Sequence, residues 1–263
     1  MHQADWSRRF GGIDRLYGEG FRDYLQRHAS AMVVGVGGVG SWAAEALARS
    51  GVGRITLVDM DHVAESNINR QIQARDATLG QEKIRALADW IGGYAPNCQL
   101  TLRDMFLEPG NAGVLLEELR QGQGNAGAPM VLDCCDNAQA KISLCVLGRA
   151  MKLPVLVAGS AGGKRQPWLV QPADLRDCIS DPLLAKLRYQ LRRQHAFPRD
   201  KRMKVQVFFS PEQITRTNNC AAEAGLNCAG YGSVVSVTAT MGMQMAAWAI
   251  NQWATGWQAQ TPG

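Results

Sequence analysis

Ala31 to Asp61 reads AMVVGVGGVGSWAAEALARSGVGRITLVDMD, and this stretch decides the fold. An apolar run, Ala31 to Val36, enters a turn rich in glycine (Gly35, Gly37, Gly38, Gly40) and leaves it in a pattern, Trp42, Ala43, Ala46, Leu47, that suits a helix packed on a sheet. The helix is expected to stop near Gly51 and Gly53. A second β-rich run, Ile55 to Val58, then ends in Asp59, about twenty residues past the turn. Glycines let backbone approach phosphate, a helix N-terminus presents unpaired N–H groups, and Asp59 can accept hydrogen bonds from a ribose. The pattern specifies a nucleotide-binding α/β fold, and leaves the chemistry open because many nucleotide binders share it.

Working outward, the 263 residues, 46% of them apolar, are enough for one large α/β domain. We divide it into an N-terminal arm (1–28), a nucleotide-binding core (29–160) and a part for substrate and dimer contacts (161–263). Seven cysteines, odd in number and without a C-x-x-C pair, argue for reduced thiols and against a four-cysteine zinc site. The polar start MHQADWSRRFGG is unlike a secretory signal, which points to the cytoplasm. No charged residue follows Leu226, and Tyr231 to Ile250 is nearly long enough to span a bilayer, so membrane association is the alternative. Ser233, Ser236, Thr238, Thr240, Gln244 and the lack of Lys or Arg anchors favour a long apolar helix in the core or a subunit interface, without stable membrane insertion.

The net charge of +5 is uneven. Lys186 to Lys204 holds eight basic residues and one acid, a local balance of +7, which leaves the remainder at −2. Such a segment is either a solvated surface or a contact for nucleic-acid phosphates through Arg188, Arg192, Arg193, Arg199, Lys201, Arg202 and Lys204.

Past Asp59, the series Asp61, Ser66, Asn67, Arg70 and Lys83 has no use in a dehydrogenase. Around a triphosphate it makes sense, because an amide and two cations offset charge that grows in a transition state. Lys83 opens a helix running to about Tyr94, Gln99 to Met105 alternates as a third strand, and Gly110 to Gln121 reads as its covering helix. Met130 to Asp133 is a fourth strand that delivers Asp136 and Asn137 to its carboxyl end, where Asp136 either caps the next helix or holds a divalent metal. Pro154 to Ala158 is a fifth strand. Gly162-Gly163-Lys164 imitates a P-loop, yet Ala158 stands where the first glycine belongs and Arg165 replaces Ser or Thr, so the assignment fails. Trp168 to Gln171 and Met203 to Phe209 read as later antiparallel strands, and Ser210 to Asn227, with Cys220 and the neighbouring Cys228, as a loop near the site.

Taken together, Gly35-Val36-Gly37-Gly38-Val39-Gly40-Ser41, Asp59, Ser66-Asn67-Ile68-Asn69-Arg70-Gln71, Lys83 and Asp136-Asn137 resemble the ubiquitin-activating-enzyme-like adenylyltransferases. The resemblance implies a Rossmann-like, mostly parallel sheet with helices on both faces. It implies that Gly38 and Asp59 bind the nucleoside of ATP, Asn67 and Arg70 its phosphates, Lys83 the phosphates and ribose side, and Asp136 magnesium. An arginine supplied across a homodimer interface matches Arg15 or else Arg9. A narrower resemblance, to the tRNA threonylcarbamoyladenosine dehydratases, rests on Arg9-Phe10-Gly11-Gly12, Arg15-Leu16-Tyr17-Gly18, Gly40 to Arg49, Asn67 to Ile72 and Asp181 to Arg188. It implies ATP-driven dehydration of threonylcarbamoyladenosine beside the anticodon, through adenylation of its carboxylate. A cysteine desulfurase or sulfur-acceptor system is a further partner it suggests. The alternative is adenylation of a ubiquitin-like or sulfur-carrier protein, with Cys220 or Cys228 forming a thioester or persulfide.

Overall fold

A computed structural model describes residues 5–122, 128–215 and 231–259. Seven strands form one sheet in the order β3-β2-β1-β4-β5-β7-β6. The strand β1 (Ala29–Val34) pairs in parallel with β2 (Arg54–Val58) and β4 (Ala128–Asp133), and all six of its residues are buried, as a central strand covered on both faces requires. Its alternation sorts the core: Ala31 and Val33 face one apolar cluster, Met32 and Val34 another. On the first face lie α3 (Gly40–Arg49) and α8 (Val235–Gln258), with α2 (Phe21–His28) and α4 (Lys83–Gly92) at its margins. The second face is covered by α5 (Ala112–Gln121), α6 (Ala138–Met151) and α7 (Pro182–Gln194). The third strand, β3 (Gln99–Arg103), closes one edge in parallel, and β5 (Val155–Ala158) extends the sheet the other way.

Expectation and structure differ at the far edge. Pro167–Leu169 is a single 3₁₀ turn, and the strand begins after it as β6 (Gln171–Asp174). Only β6 is antiparallel, because β7 (Gln206–Phe209) runs parallel to β5. Asp174 explains the reversal: its carboxylate accepts the N–H groups of Met203 (3.0 Å) and Lys204 (2.8 Å), tying the entry of β7 to the exit of β6.

The N-terminal arm is ordered despite its glycine pair. Asp5 caps α1 (Trp6–Tyr17) by accepting the Arg8 N–H at 3.0 Å, Phe10 is buried, and the Trp6 ring packs against it in a tilted arrangement with centroids 4.2 Å apart. The last helix is likewise built in. Met241, Met245, Ala246 and Ala249 of α8 are fully buried, and Gly242 is small because a side chain there would strike Val39 O at 2.4 Å. Among the described residues no helix is long and apolar enough to cross a membrane.

Candidate active site

The glycine turn sits at the carboxyl edge of the sheet, between β1 and α3. Gly35 adopts φ +79°, and a side chain there would meet the Cys135 backbone at 3.0 Å, so the turns after β1 and β4 touch without side chains between them. At Gly40 a Cβ would lie 1.8 Å from Gly35 O, which makes glycine obligatory. Asp59 is 6% exposed and holds the turn from below: one carboxylate oxygen accepts the Val36 N–H (2.8 Å) and the other the Asp61 N–H (2.9 Å). Burial pushes its carboxyl above the ordinary range, against the pull of those two bonds and of Lys83.

The cationic wall follows. Lys83, at the start of α4, is 7% exposed and its Nζ lies 2.7 Å from Asp61 Oδ2, while its own N–H is received by Asp61 O. Asn67, also buried, spends its side-chain oxygen on the Ala64 N–H at 3.1 Å, which shapes the short helix Glu65–Asn67. Arg70 is anchored twice. Trp42 Nε1 donates to its carbonyl (2.9 Å), and its Nη1 donates to Ser66 O (2.6 Å) and Asn69 Oδ1 (2.8 Å). The arginine stem crosses Gly38, where an added Cβ would sit 3.4 Å from its Cγ and Cδ. Arg70, Ser66 and Asn69 line an open cavity of about 670 Å³, closed on its far side by Tyr231, Gly232 and Ser233. Asn69 Nδ2 ties the two sides together through Ser233 O at 3.0 Å.

Asp136 and Asn137 occupy the turn after β4, next to Gly35. Asn137 caps α6, accepting the Gln139 (2.8 Å) and Ala140 (3.1 Å) N–H groups, which leaves Asp136 exposed and without a capping duty. Among the described residues no group of three His, Cys, Asp or Glu could cage a metal. A lone exposed carboxylate at the carboxyl end of β4 fits a divalent cation that takes most of its oxygen ligands from elsewhere.

Sequence reasoning missed the support behind this turn. Asp133 and Lys141 are both 0% exposed and lie 3.2 Å apart, with Asp133 Oδ1 also accepting the Cys135 N–H at 3.3 Å. The legible signal was Lys141, a lone cation in the apolar face of α6. Gln73 was missed too; its Nε2 donates to Val36 O at 2.9 Å. Lys164 is spent on backbone carbonyls: its Nζ donates to Ser180 O (3.0 Å), Ser210 O (3.2 Å) and Glu212 O, and burial lowers its pKa. The resemblance to a P-loop therefore has no structural counterpart. Arg15 is not in the site of its own chain. Two residues on, Tyr17 bonds Asn251 at 3.2 Å, and Asn251 lies roughly 20 Å down α8 from Thr238, which touches the Gly38 turn. Of the basic segment, Arg188 is consumed by the carbonyls of Leu175, Arg176 and Cys178, and Arg192 by those of Pro198 and Arg199. Cys220 and Cys228 lie outside the described residues.

Comparison with known proteins agrees with this geometry. Residues 13–261 match the model of the ThiF family. The tRNA threonylcarbamoyladenosine dehydratase of Haemophilus influenzae is 38% identical over 244 residues, covering 90% of each chain. The structure of the Escherichia coli enzyme of that name in complex with ATP superposes with a TM-score of 0.85 at 34% identity, covering 97% of this chain and 98% of that one. The molybdopterin-synthase adenylyltransferase of Escherichia coli, 34% identical, matches over only 51% of this chain. The match running past the nucleotide core to the end of α8, together with the turn, the Asp59 anchor and the Arg70 and Lys83 wall, places the chain in the ThiF family.

Proposed function

We propose that this protein is an ATP-dependent tRNA threonylcarbamoyladenosine dehydratase. A carboxylate is a poor electrophile, and transfer of AMP turns one of its oxygens into part of a leaving group. In the first step a carboxylate oxygen of the threonylcarbamoyl group bonds to the α-phosphorus and pyrophosphate departs. A nucleophile of the same group then attacks the activated carbonyl, closes a ring and expels AMP, so one water is lost from the nucleoside for each ATP hydrolysed to AMP and pyrophosphate. No covalent bond to the protein is needed, because the second nucleophile is already tethered.

Each side chain has a role in bringing two anions together. The Gly35–Gly40 turn gives backbone access to the nucleotide, Asp59 receives ribose hydroxyls, and Arg70 and Lys83 offset the charge that builds up on the phosphates. Asp136 would hold the magnesium ion, which would supply neutralisation of the phosphate charge. Since Arg15 lies at the far end of α8 in its own chain, its catalytic use requires a homodimer in which it enters the partner's site.

The observation that carries this reading is coverage. The likeness to the dehydratases extends over 90% of the chain in sequence and 97% in structure, whereas the likeness to a sulfur-carrier activator stops at about half. The test is mass spectrometry of nucleosides from threonylcarbamoyladenosine-containing tRNA incubated with the protein and ATP. Loss of one water from that nucleoside is expected. An unchanged nucleoside, with pyrophosphate released only when a carrier protein is added, overturns the reading.

A further inference from the structure

The basic segment is not a single patch beside the site. Asp181 caps the start of α7 and its other carboxylate oxygen accepts the Ser160 N–H at 2.8 Å, which fixes that end of the helix at the carboxyl edge, just past β5. From there α7 descends about 20 Å to the amino edge. At the bottom the Arg149 guanidinium, at the end of α6, stacks on Phe197 at 4.6 Å, and Met203 and Lys204 are bound to Asp174 at the amino-edge end of β6. Arg199, Lys201, Arg202 and Lys204 are all exposed there. The sheet adds a sideways offset, since β7 is three strands from β1, or about 14 Å. The lower cluster is thus roughly 25 Å from the glycine turn.

A track joins the two. Lys186, Tyr189 and Arg193 are spaced i, i+3, i+7, which puts them on one stripe of α7, and all three are exposed. Arg193 lies over the Tyr189 ring, its Cζ 5.7 Å from the centroid, so the stripe offers both charge and an aromatic face. Asp174 lies 3.9 Å from Arg202 but is buried and spent on the Met203 and Lys204 N–H groups; between residues 176 and 204 the exposed acids are Asp177 and Asp200, against seven exposed cations including Arg176.

Resting on the dehydratase reading, we propose that the α7 stripe and the 199–204 cluster bind the paired stem of the substrate RNA, while the nucleotide edge takes the modified loop. A single loop beside ATP cannot reach a surface 25 Å away. A gap of that size is bridged by the A-form helical stem that carries the loop. The contact is to backbone phosphates: the cations are exposed, spaced along the helix and built on no recess that would select a base.

The test compares wild type with a Lys186→Gln, Arg193→Gln, Arg199→Gln, Lys201→Gln, Lys204→Gln variant. Binding of intact modified tRNA and of its anticodon loop as a short single strand is measured by fluorescence anisotropy from 50 to 200 mM salt. For tRNA we expect the variant to lose at least about 100-fold in affinity at about 100 mM salt and about 4.5 units of salt slope over the range, since each of the five duplex phosphate contacts contributes about 0.9. Binding of the short strand and of ATP is expected to be unchanged. The proposal is overturned if the variant binds tRNA with wild-type affinity and slope, or if the short strand loses as much as tRNA does. Nucleoside analysis of the same mixtures separates the two ideas: tRNA held through this surface but never dehydrated refutes the dehydratase reading and upholds the surface.

Discussion

Replacing Lys141 by Met leaves the Asp133 carboxylate enclosed with no countercharge. Both side chains are 0% exposed and the ammonium is 3.2 Å from the carboxylate, with a second contact of 3.4 Å to the Asp133 carbonyl. Removing one partner of such a pair costs about 3–5 kcal/mol, mostly from the charge left behind. For a chain of this size, at about 2–4 °C per kcal/mol, the melting temperature is expected to fall by roughly 6–20 °C. Adding Asp133→Asn removes the orphan charge and keeps an acceptor for the Cys135 N–H, so the double variant should regain all but about 1–2 kcal/mol. Urea unfolding at pH 7, with m unchanged, measures both. The sign with pH follows from Lys141. Burial pulls its pKa down, and the Asp133 carboxylate more than reverses this, so it ends above the ordinary value. The contribution of Lys141 is therefore fully present just below about pH 10.4, the unfolded value, and is lost as pH rises through the folded one. Stability from this pair should be flat between pH 6 and 9. A single variant within 1 kcal/mol of wild type, or a double variant no better than the single, refutes the reasoning.

Asp136→Ala and Arg70→Ala are expected to lower AMP formation at least about 100-fold while leaving urea unfolding within about 1 kcal/mol of wild type, because both act on charge that develops during adenylation; a full-rate variant removes that residue from the mechanism. Inactive Arg15→Ala and inactive Asp136→Ala proteins, mixed and allowed to exchange subunits, should recover part of the activity through hybrid sites, and no recovery after confirmed exchange refutes a shared site. Cys98 and Cys178 are pushed up to about 12 by burial, so at pH 8 only about one thiol in ten thousand is ionised and alkylation should run roughly a thousandfold slower than for a free cysteine. Peptide mass spectrometry after iodoacetamide treatment checks this, and labelling at the rate of the urea-unfolded chain contradicts it.

The half of the site that depends on backbone shape was legible from residues alone. Gly35 and Gly40 report a positive φ and a contact with no room for Cβ, and such demands are met by one residue type whatever the rest of the chain does. The β1, α3 and β2 elements and the placing of Asp59 were read the same way, from local periodicity and the spacing across one βαβ unit. The far edge was harder. Trp168 to Gln171 has strand-like composition, but Pro167 initiates a turn and the strand starts at Gln171, because Asp174 must meet Met203 and Lys204, thirty residues on.

The residues of Ala31 to Asp61 by themselves determined a nucleotide-binding βαβ unit, and Asn67, Arg70, Lys83 and Asp136 are the residues from which we propose a phosphate site. Only the tertiary structure decided which charges are available for that work. Lys164, 16 to 48 residues from its acceptors, is spent on Ser180, Ser210 and Glu212, and Lys141 is spent on Asp133. Arg188 and Arg192 are used to hold turns, while Lys186 and Arg193 on the same helix stay exposed. In sequence all six are simply cations. What separates them is the carbonyl or carboxylate that packing brings to each, and a buried ammonium or guanidinium must be paired, whereas an exposed one keeps its charge for a ligand.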